Sequence, residues 1–474
     1  MSSIKRNFEY NLLLTLCNYI FPLLTYPYAS RVLGVEKIGV CSFVDSVINY
    51  FVLFSMLGIG SYGVREIAKC KEDKDRRNFV FSNLIIINFL LTLIALLSLI
   101  ASIIWVPFFV EYKSFLWVGA AKLLFNMFII EWFFQGIQDF KYITIRSIFV
   151  RTIYVIAVFV FVHSENDAIV YFGLTVLTTL LNAIINWHYS HHYVILSFLK
   201  LNFKLFIIPI FVFGYYRILT SMYTTFNVVF LGFSSGDVEV GYFSTATRLH
   251  GIIMAAFSAL TTVLVPKVSE LLVDGNKQRL IELADRTFSI LVTISVPAIL
   301  FCLFCAEDII CIIAGDGYSG AVLPFRIVIF LLLVIGMEQI VVQQFLMASS
   351  SNKSVFTLST TGAVVGLLLN FILTPQYGSI GTSISWSISE LSVLAVGLYF
   401  LNKIMDICLN IRILLENVCW SLVYIIPLSI ISYLHLPMWW NVVVSFSITF
   451  AFFIIINVLF RKEPLIMDLI KKHR

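Results

Sequence analysis

Apolar runs of about 20 residues, each closed by a short polar or basic segment, recur from one end of the chain to the other. A transmembrane helix needs about 20 predominantly apolar residues. By that measure the sequence contains fourteen spans, near 8–30, 38–60, 79–105, 114–136, 143–162, 168–187, 204–232, 241–266, 286–305, 322–347, 355–374, 379–400, 413–434 and 438–460. No connection exceeds about twenty residues, far fewer than a soluble domain requires. Whatever the protein does must therefore be done inside an all-α membrane bundle.

Composition strengthens this reading. The 474 residues are 60% hydrophobic and only 12% charged, with a mean hydropathy of +0.95, whereas soluble domains are about 25% charged. The basic residues are distributed unevenly. Lys5 and Arg6, Arg65 to Arg77, Lys141 and Arg146, Lys200 and Lys204, Lys267 to Arg286, Lys353, Lys403 and Arg412, and the tail from Arg461 to Arg474 fall on one side of the membrane; Arg31, Lys37 and Lys113 take the other. The positive-inside rule then places both termini in the cytoplasm. The net charge of +5 follows from this topology and carries no nucleic-acid signal. No short apolar region with a small-residue cleavage site follows Lys5 and Arg6, so the first span is expected to be permanent. The eight cysteines are scattered and predict no disulfide framework.

A repeat is visible. Leu33-Gly34, Gly39, Arg65-Glu66, Lys74 and Arg77 to Phe79 can be laid against Leu231-Gly232, Gly241, Lys267, Lys277 and Arg286 to Phe288. An even number of spans per half preserves orientation, so the repeat is expected to be parallel: six-helix lobes over 1–200 and 201–403, then two further helices and the basic tail over 404–474. Substrate sites in such transporters lie between the halves near the midplane.

Ionised residues sit deep in several spans: Asp45, Lys122, Arg217, Arg248, Glu338 and Glu390. Each costs at least about 2.5–3.5 kcal/mol in the bilayer centre, so each should face water or a partner. Helical spacing aligns Ser42, Asp45 and Asn49; Thr175, Thr178, Asn182 and Asn186; Gly214, Arg217, Thr220, Ser221 and Thr224; and Gly241, Ser244, Thr245, Arg248 and Gly251. Stripes of Ser, Thr and Gly serve helix packing as readily as a cavity, whereas those with Asp or Arg point to a cavity. Lys122 shares a face with Gly119 and Asn126, and Glu131 points away from it with Gln135. Glu390 has Ser383 and Ser387 on its face; Glu338 has no polar stripe and could neutralise an arginine. Arg146, Arg151 and Arg326 are near enough to helix ends to snorkel. Pro22 and Pro27 remove backbone donors from the first span and predict a bend, either a gate or a static one.

Other patterns carry less. The Cys302–Cys305 pair is followed by Glu307 and Asp308 in an apolar helix, the wrong setting for an activated thiolate. His188, His191 and His192 have helical metal-ligand spacing but no nearby carboxylate or cysteine in sequence, and read as a solvated loop. Gly362 and Gly366 predict close helix packing. There is no phosphate-binding GxxxxGK[ST] motif.

Three segments resemble a known family. The run Asn18-Tyr-Ile-Phe-Pro-Leu-Leu-Thr-Tyr-Pro-Tyr-Ala-Ser-Arg-Val-Leu-Gly34 with Gly39 and Tyr50-Phe51, then Leu57-Gly-Ile-Gly-Ser-Tyr-Gly-Val-Arg-Glu66, and Glu131-Trp-Phe-Phe-Gln-Gly136 look like the polysaccharide (O-antigen) flippases of the multidrug/oligosaccharidyl-lipid/polysaccharide exporter superfamily. The match is dense over about the first 160 residues and weaker beyond. The resemblance implies a non-enzymatic transporter of the bacterial inner membrane that moves undecaprenyl-pyrophosphate-linked oligosaccharide from the cytoplasmic to the periplasmic leaflet. Alternating access of two lobes, coupled to a proton or sodium ion, would drive it; a polysaccharide polymerase and a chain-length regulator are the expected partners. The anionic head group would occupy a cationic cavity, for which the sequence offers Arg217, Arg248 and Lys122, then Arg31 and Arg151. Asp45, Glu338, Glu390 and Glu131 would carry the coupling ion or balance charge. No cofactor or metal is expected.

Two other exporters of the superfamily, for drugs or for peptidoglycan lipid, would share the fold. A drug exporter handling organic cations should have acidic walls. A membrane-bound polymerase or ligase is an enzyme for similar lipids, but it would need a long periplasmic loop, and these connections are short.

Overall fold

The computed structural model describes residues 2–70, 73–198, 201–273, 277–347 and 352–460, and its elements among them are helical, with no strand. In order they are α1 (Ser2–Met56), α2 (Ile59–Cys70), α3 (Lys74–Trp105), α4 (Lys113–Asn126), α5 (Glu131–Gly136), α6 (Phe140–Phe161), α7 (Ala168–Ser190), α8 (Lys204–Ser221), α9 (Thr225–Ser235), α10 (Asp237–Val273), α11 (Lys277–Phe304), α12 (Ala306–Ala314), α13 (Val322–Val328), α14 (Leu331–Glu338), α15 (Asn352–Met405), α16 (Ile411–Tyr433) and α17 (Met438–Ile455). A π-helical stretch, Gln339–Leu346, continues α14. Lys71, Lys200 and the basic tail from Arg461 lie outside the described residues.

Among the described residues, ten helices are long and apolar enough to cross a bilayer, or eleven if the bent pair Asp316–Val328 and Leu331–Leu346 is one span. Two of them, Leu13–Cys70 and Lys353–Met405, run to 58 and 53 residues. At 1.5 Å per residue each far exceeds the roughly 30 Å hydrocarbon core, so each must contain more than one crossing. The backbone breaks at Gly34 (φ 74°, ψ 169°) in α1 and at Gly378 (φ 53°, ψ −129°) in α15. With α10 added, and α9 completing the run that α8 begins, these breaks account for the fourteen runs. The protein is thus a multi-pass, all-helical membrane protein, and large apolar side chains such as Ile94, Leu97, Ile104 and Trp105 face outward.

Contacts divide the chain into two compact units, Met1–Ser244 with Ser359–Ser389, and Thr245–Leu358 with Glu390–Arg474. In the first, α1 packs on α3, α4 and α6, while α2 packs on α5, α3 and α8. Its core gathers Ile59, Tyr62, Phe81, Trp132, Phe133, Phe134 and Phe206. The glycines of the two aromatic-glycine motifs explain how. A Cβ on Gly63 would stand 2.5 Å from the Trp132 ring, and one on Gly136 would stand 2.7 Å from Ile67. The motifs therefore interlock, glycine against bulk, and exclude lipid. Gly366 admits Tyr223 and Ser389 in the same manner, and Ser389 Oγ donates to the Gly362 carbonyl at 2.7 Å, so the GxxxG pair serves packing. In the second unit α11 packs on α14 and α16, and α17 on α12 and α16; Gly336 receives the Leu291 side chain, and Thr293 Oγ1 donates to Asn417 Oδ1 at 3.1 Å in the buried seam.

Candidate functional site

The seventh apolar run, expected as one helix over 204–232, is broken. α8 ends at Ser221 and α9 begins at Thr225, and Met222, Tyr223 and Thr224 close tighter turns onto the carbonyls of residues 218 to 221. In hydrocarbon a freed peptide group has to be satisfied by protein or by a cavity. Tyr50 Oη, on α1, donates to the Ser221 carbonyl at 3.0 Å, and the Thr220 and Thr224 hydroxyls donate to carbonyls one turn back at 3.0 Å. The Ser/Thr-rich run Thr220-Ser-Met-Tyr-Thr-Thr225 was a readable signal of this break.

Beside the break lies a cavity of about 410 Å³ within the first unit, lined by Asn49, Tyr50, Tyr216, Arg217, Thr220 and Thr224 among others. Local sequence places Arg217 there. Leu57, with φ 39°, ends α1; Gly58 then meets α8 at the Ile210 carbonyl and Gly214 with no room for a side chain. Gly60 follows, and a Cβ on it would stand 3.3 Å from Arg217 Nη1. The guanidinium is held over a bare glycine at the cavity wall. Among the described residues Arg217 has no carboxylate or hydrogen-bond partner. The expected stripe is accordingly divided: Gly214 is buried in packing, while Arg217, Thr220, Ser221 and Thr224 line the cavity.

One turn from Asn49, a closed triad forms. Lys122 Nζ on α4 donates to Asp45 Oδ1 at 2.5 Å and to Asn49 Oδ1 at 3.0 Å, and Asn49 Nδ2 donates to Asp45 Oδ2 at 3.0 Å. Lys122 is therefore neutralised, which corrects its expected place as a free head-group cation beside Arg217. Asp45, in turn, balances a lysine rather than an arginine.

A second ion pair corrects the reading of Arg146 as snorkelling. Its side chain is 4% exposed and contacts Glu131 Oε2 at 3.4 Å, Asn186 Oδ1 at 2.5 Å and Ser147 Oγ at 3.0 Å. Tyr142 Oη donates to the same Asn186 oxygen at 2.9 Å, and Asn186 Nδ2 donates to the Ile129 carbonyl. Glu131 thus balances Arg146. Asn186, expected on a polar stripe, is a structural joint between α6, α7 and the end of α4.

The remaining candidates are dispersed. Arg31 is exposed and donates to the Pro27 carbonyl at 2.8 Å; Arg151 is half-buried and reaches the Cys17 carbonyl at 3.4 Å. Arg326 pairs with Glu307 at 3.3 Å. α1 runs helically through Pro22 and Pro27, and its break is at Gly34 instead. In the second unit Arg248 is half-buried. Glu338 lies beside Glu390, so two carboxyls meet at one place in the second unit. Glu338 was expected to be able to neutralise an arginine; its neighbour is an acid, and among the described residues its Oε2 has no hydrogen-bond partner. His191 and His192 bond backbone carbonyls, and among the described residues no group of three His, Cys, Asp or Glu could hold a metal.

Comparison with known proteins gives a consistent picture. A putative O-antigen transporter of Escherichia coli K12 is 26% identical over 410 residues, 85% of this chain and 97% of that one; a protein of Shigella dysenteriae with the same description is 23% identical over 82% and 98%. Among solved structures, the lipid II flippase MurJ in an inward closed conformation superimposes with a TM-score of 0.75 at 15% identity, covering 97% of this chain and 99% of that one. An inward-facing multidrug resistance MATE transporter of the MOP superfamily gives 0.66 at 14%, over 83% and 94%. The chain therefore has the fold of these transporters. The family model described as polysaccharide biosynthesis protein matches residues 4–272, which include Asp45, Lys122 and Arg217 and make up more than half of the sequence, and the chain belongs to that family.

Proposed function

We propose that this protein is a flippase that moves undecaprenyl-pyrophosphate-linked glycan units from the cytoplasmic to the periplasmic leaflet of a bacterial inner membrane, with both termini cytoplasmic. The observation that carries the reading is Arg217: a guanidinium with no carboxylate partner among the described residues, in a membrane-embedded cavity whose other polar groups are amide, hydroxyl and phenol. A pyrophosphate fits such a group, because the planar guanidinium fork gives short, charge-assisted bonds to phosphate oxygens. Those bonds offset the dehydration of the head group while the polyprenyl tail stays in lipid. The O-antigen transporter description shared by the two relatives supports a glycan cargo. A cationic drug is disfavoured by the same arginine. Alternating access of two lobes, a proton or sodium gradient as driver, and a polymerase and chain-length regulator as partners belong to this reading, with the Glu338–Glu390 pair as the site of coupling.

The test is Arg217→Ala in cells that depend on the protein for surface glycan. Loss of one or two charged hydrogen bonds, about 1.5–3 kcal/mol each, predicts a fall in export of at least about tenfold while the protein accumulates normally in the membrane, with Arg217→Lys retaining partial export. Normal surface glycan in the alanine variant would remove the head-group role.

A further inference from the structure

A hydrogen-bonded triad adjoins the cavity through one shared residue. Asn49 belongs to both: it lines the cavity with Arg217, and it is bonded to Lys122 on α4 and to Asp45 one turn earlier on α1, a step of about 6 Å along the axis and close to the width of a pyranose ring. The triad is closed but not saturated. Lys122 uses two of its three N–H donors, on Asp45 and Asn49; Asn49 uses one amide hydrogen; and Asp45 uses one bond on each carboxylate oxygen, which leaves lone pairs. Spare donors thus lie beside spare acceptors, the pattern that a vicinal diol or an acetamido group satisfies.

The charge of the triad decides which sugar. Its two ions cancel each other, and the more accessible one is the acid: the Asp45 side chain is 38% exposed against 16% for Lys122. A carboxylate-bearing sugar would meet Asp45 first and be repelled, while the lysine that could attract it is already bonded. We infer that the Asp45–Asn49–Lys122 triad is a glycan subsite that takes the sugar ring nearest the pyrophosphate and selects an uncharged hexose or N-acetylhexosamine over a uronic acid. This rests on the head-group reading of Arg217, since that contact brings the first ring to Asn49.

The experiment measures dissociation constants of the full-length protein in nanodiscs for three lipids: polyprenyl pyrophosphate alone, the same lipid with one N-acetylhexosamine, and the same lipid with one hexuronic acid. Wild type should bind the N-acetylhexosamine lipid about tenfold more tightly than the bare lipid, the worth of roughly one good hydrogen-bonded pair, and gain little from the uronic acid. Asp45→Asn frees the Lys122 ammonium and should reverse the order, so that the uronic acid lipid becomes the tighter of the two sugar-bearing lipids. The double variant Asp45→Asn/Lys122→Met leaves no unpaired charge and should lose the preference in both directions. An unchanged order in Asp45→Asn, or an unchanged N-acetylhexosamine preference in the double variant, overturns the subsite. Arg217→Ala should weaken all three lipids by a similar factor; if it weakens none, the head-group reading fails instead, and the two failures are distinguishable.

Discussion

Gly60 has no Cβ where the Arg217 guanidinium needs room, and the two neighbouring glycines of its motif solve different problems. At Gly60 an added methyl would press on the far end of a flexible side chain at 3.3 Å; at Gly58 it would press on backbone, the Ile210 carbonyl and the Gly214 nitrogen at 2.7 Å. A side chain can yield and a backbone cannot. Gly60→Ala should therefore accumulate in the membrane like wild type yet export less, because the guanidinium is displaced. Gly58→Ala should show the reverse emphasis, with lower accumulation and a lower melting temperature from overpacking of about 1–3 kcal/mol. Equal accumulation of the two variants would contradict this division. The residue scale was only partly legible in the sequence. The depth of Arg217 was countable along its run, but Arg146 was misjudged because it lies two turns into α6, close to a helix end by counting. Its burial comes from Glu131 and Asn186, which other helices bring to it, and no local pattern reports such partners.

Helix breaks are the features that matter among elements. Gly34 and Gly236 have nearly the same backbone, φ 74°, ψ 169° and φ 87°, ψ 180°, a region essentially reserved for glycine. Each is followed five residues later by a glycine, Gly39 or Gly241, and each of these packs against the chain near the other: a Cβ on Gly39 would meet the Asp237 carbonyl and stand 3.1 Å from the Gly241 nitrogen, and one on Gly241 would meet the Val35 carbonyl. The structural match of Gly34 is thus Gly236, not the Gly232 that shared letters suggested; Gly232 instead makes room for the Phe43 ring. Backbone conformation identifies equivalent positions where a Leu-Gly pair misleads. Gly34→Ala should lower stability by about 1–3 kcal/mol, read as a drop in detergent melting temperature, whereas Gly173→Ala, where an added Cβ has nothing within 4 Å, should change little. The proline positions did not mark the break, since a helix can continue through proline when neighbouring groups satisfy the freed carbonyls.

For the whole molecule, length and hydropathy made the multi-pass fold legible, because every span must by itself satisfy its backbone in lipid. The interior arrangement was less so: Asp45 with Lys122 and Glu131 with Arg146 are separated by 77 and 15 residues, and pattern reading proposed neither pair. The proposed topology is testable at this scale. In a cysteine-free background, Lys74→Cys should react with a membrane-impermeant maleimide only after the inner face is opened, and Lys113→Cys should react in intact spheroplasts. Labelling of both from the same side would refute the orientation. Single glycines at 34, 236 and 378 join consecutive helical segments, and the Glu239 carboxylate, just past the second joint, accepts from the Ser379 backbone nitrogen just past the third at 2.7 Å. Joints of one residue offer almost no extended chain. A protease cutting needs several residues drawn out straight, so these three joints should resist digestion even in the folded, membrane-free state, and an epitope inserted at any of them would have to be built at the expense of a helix.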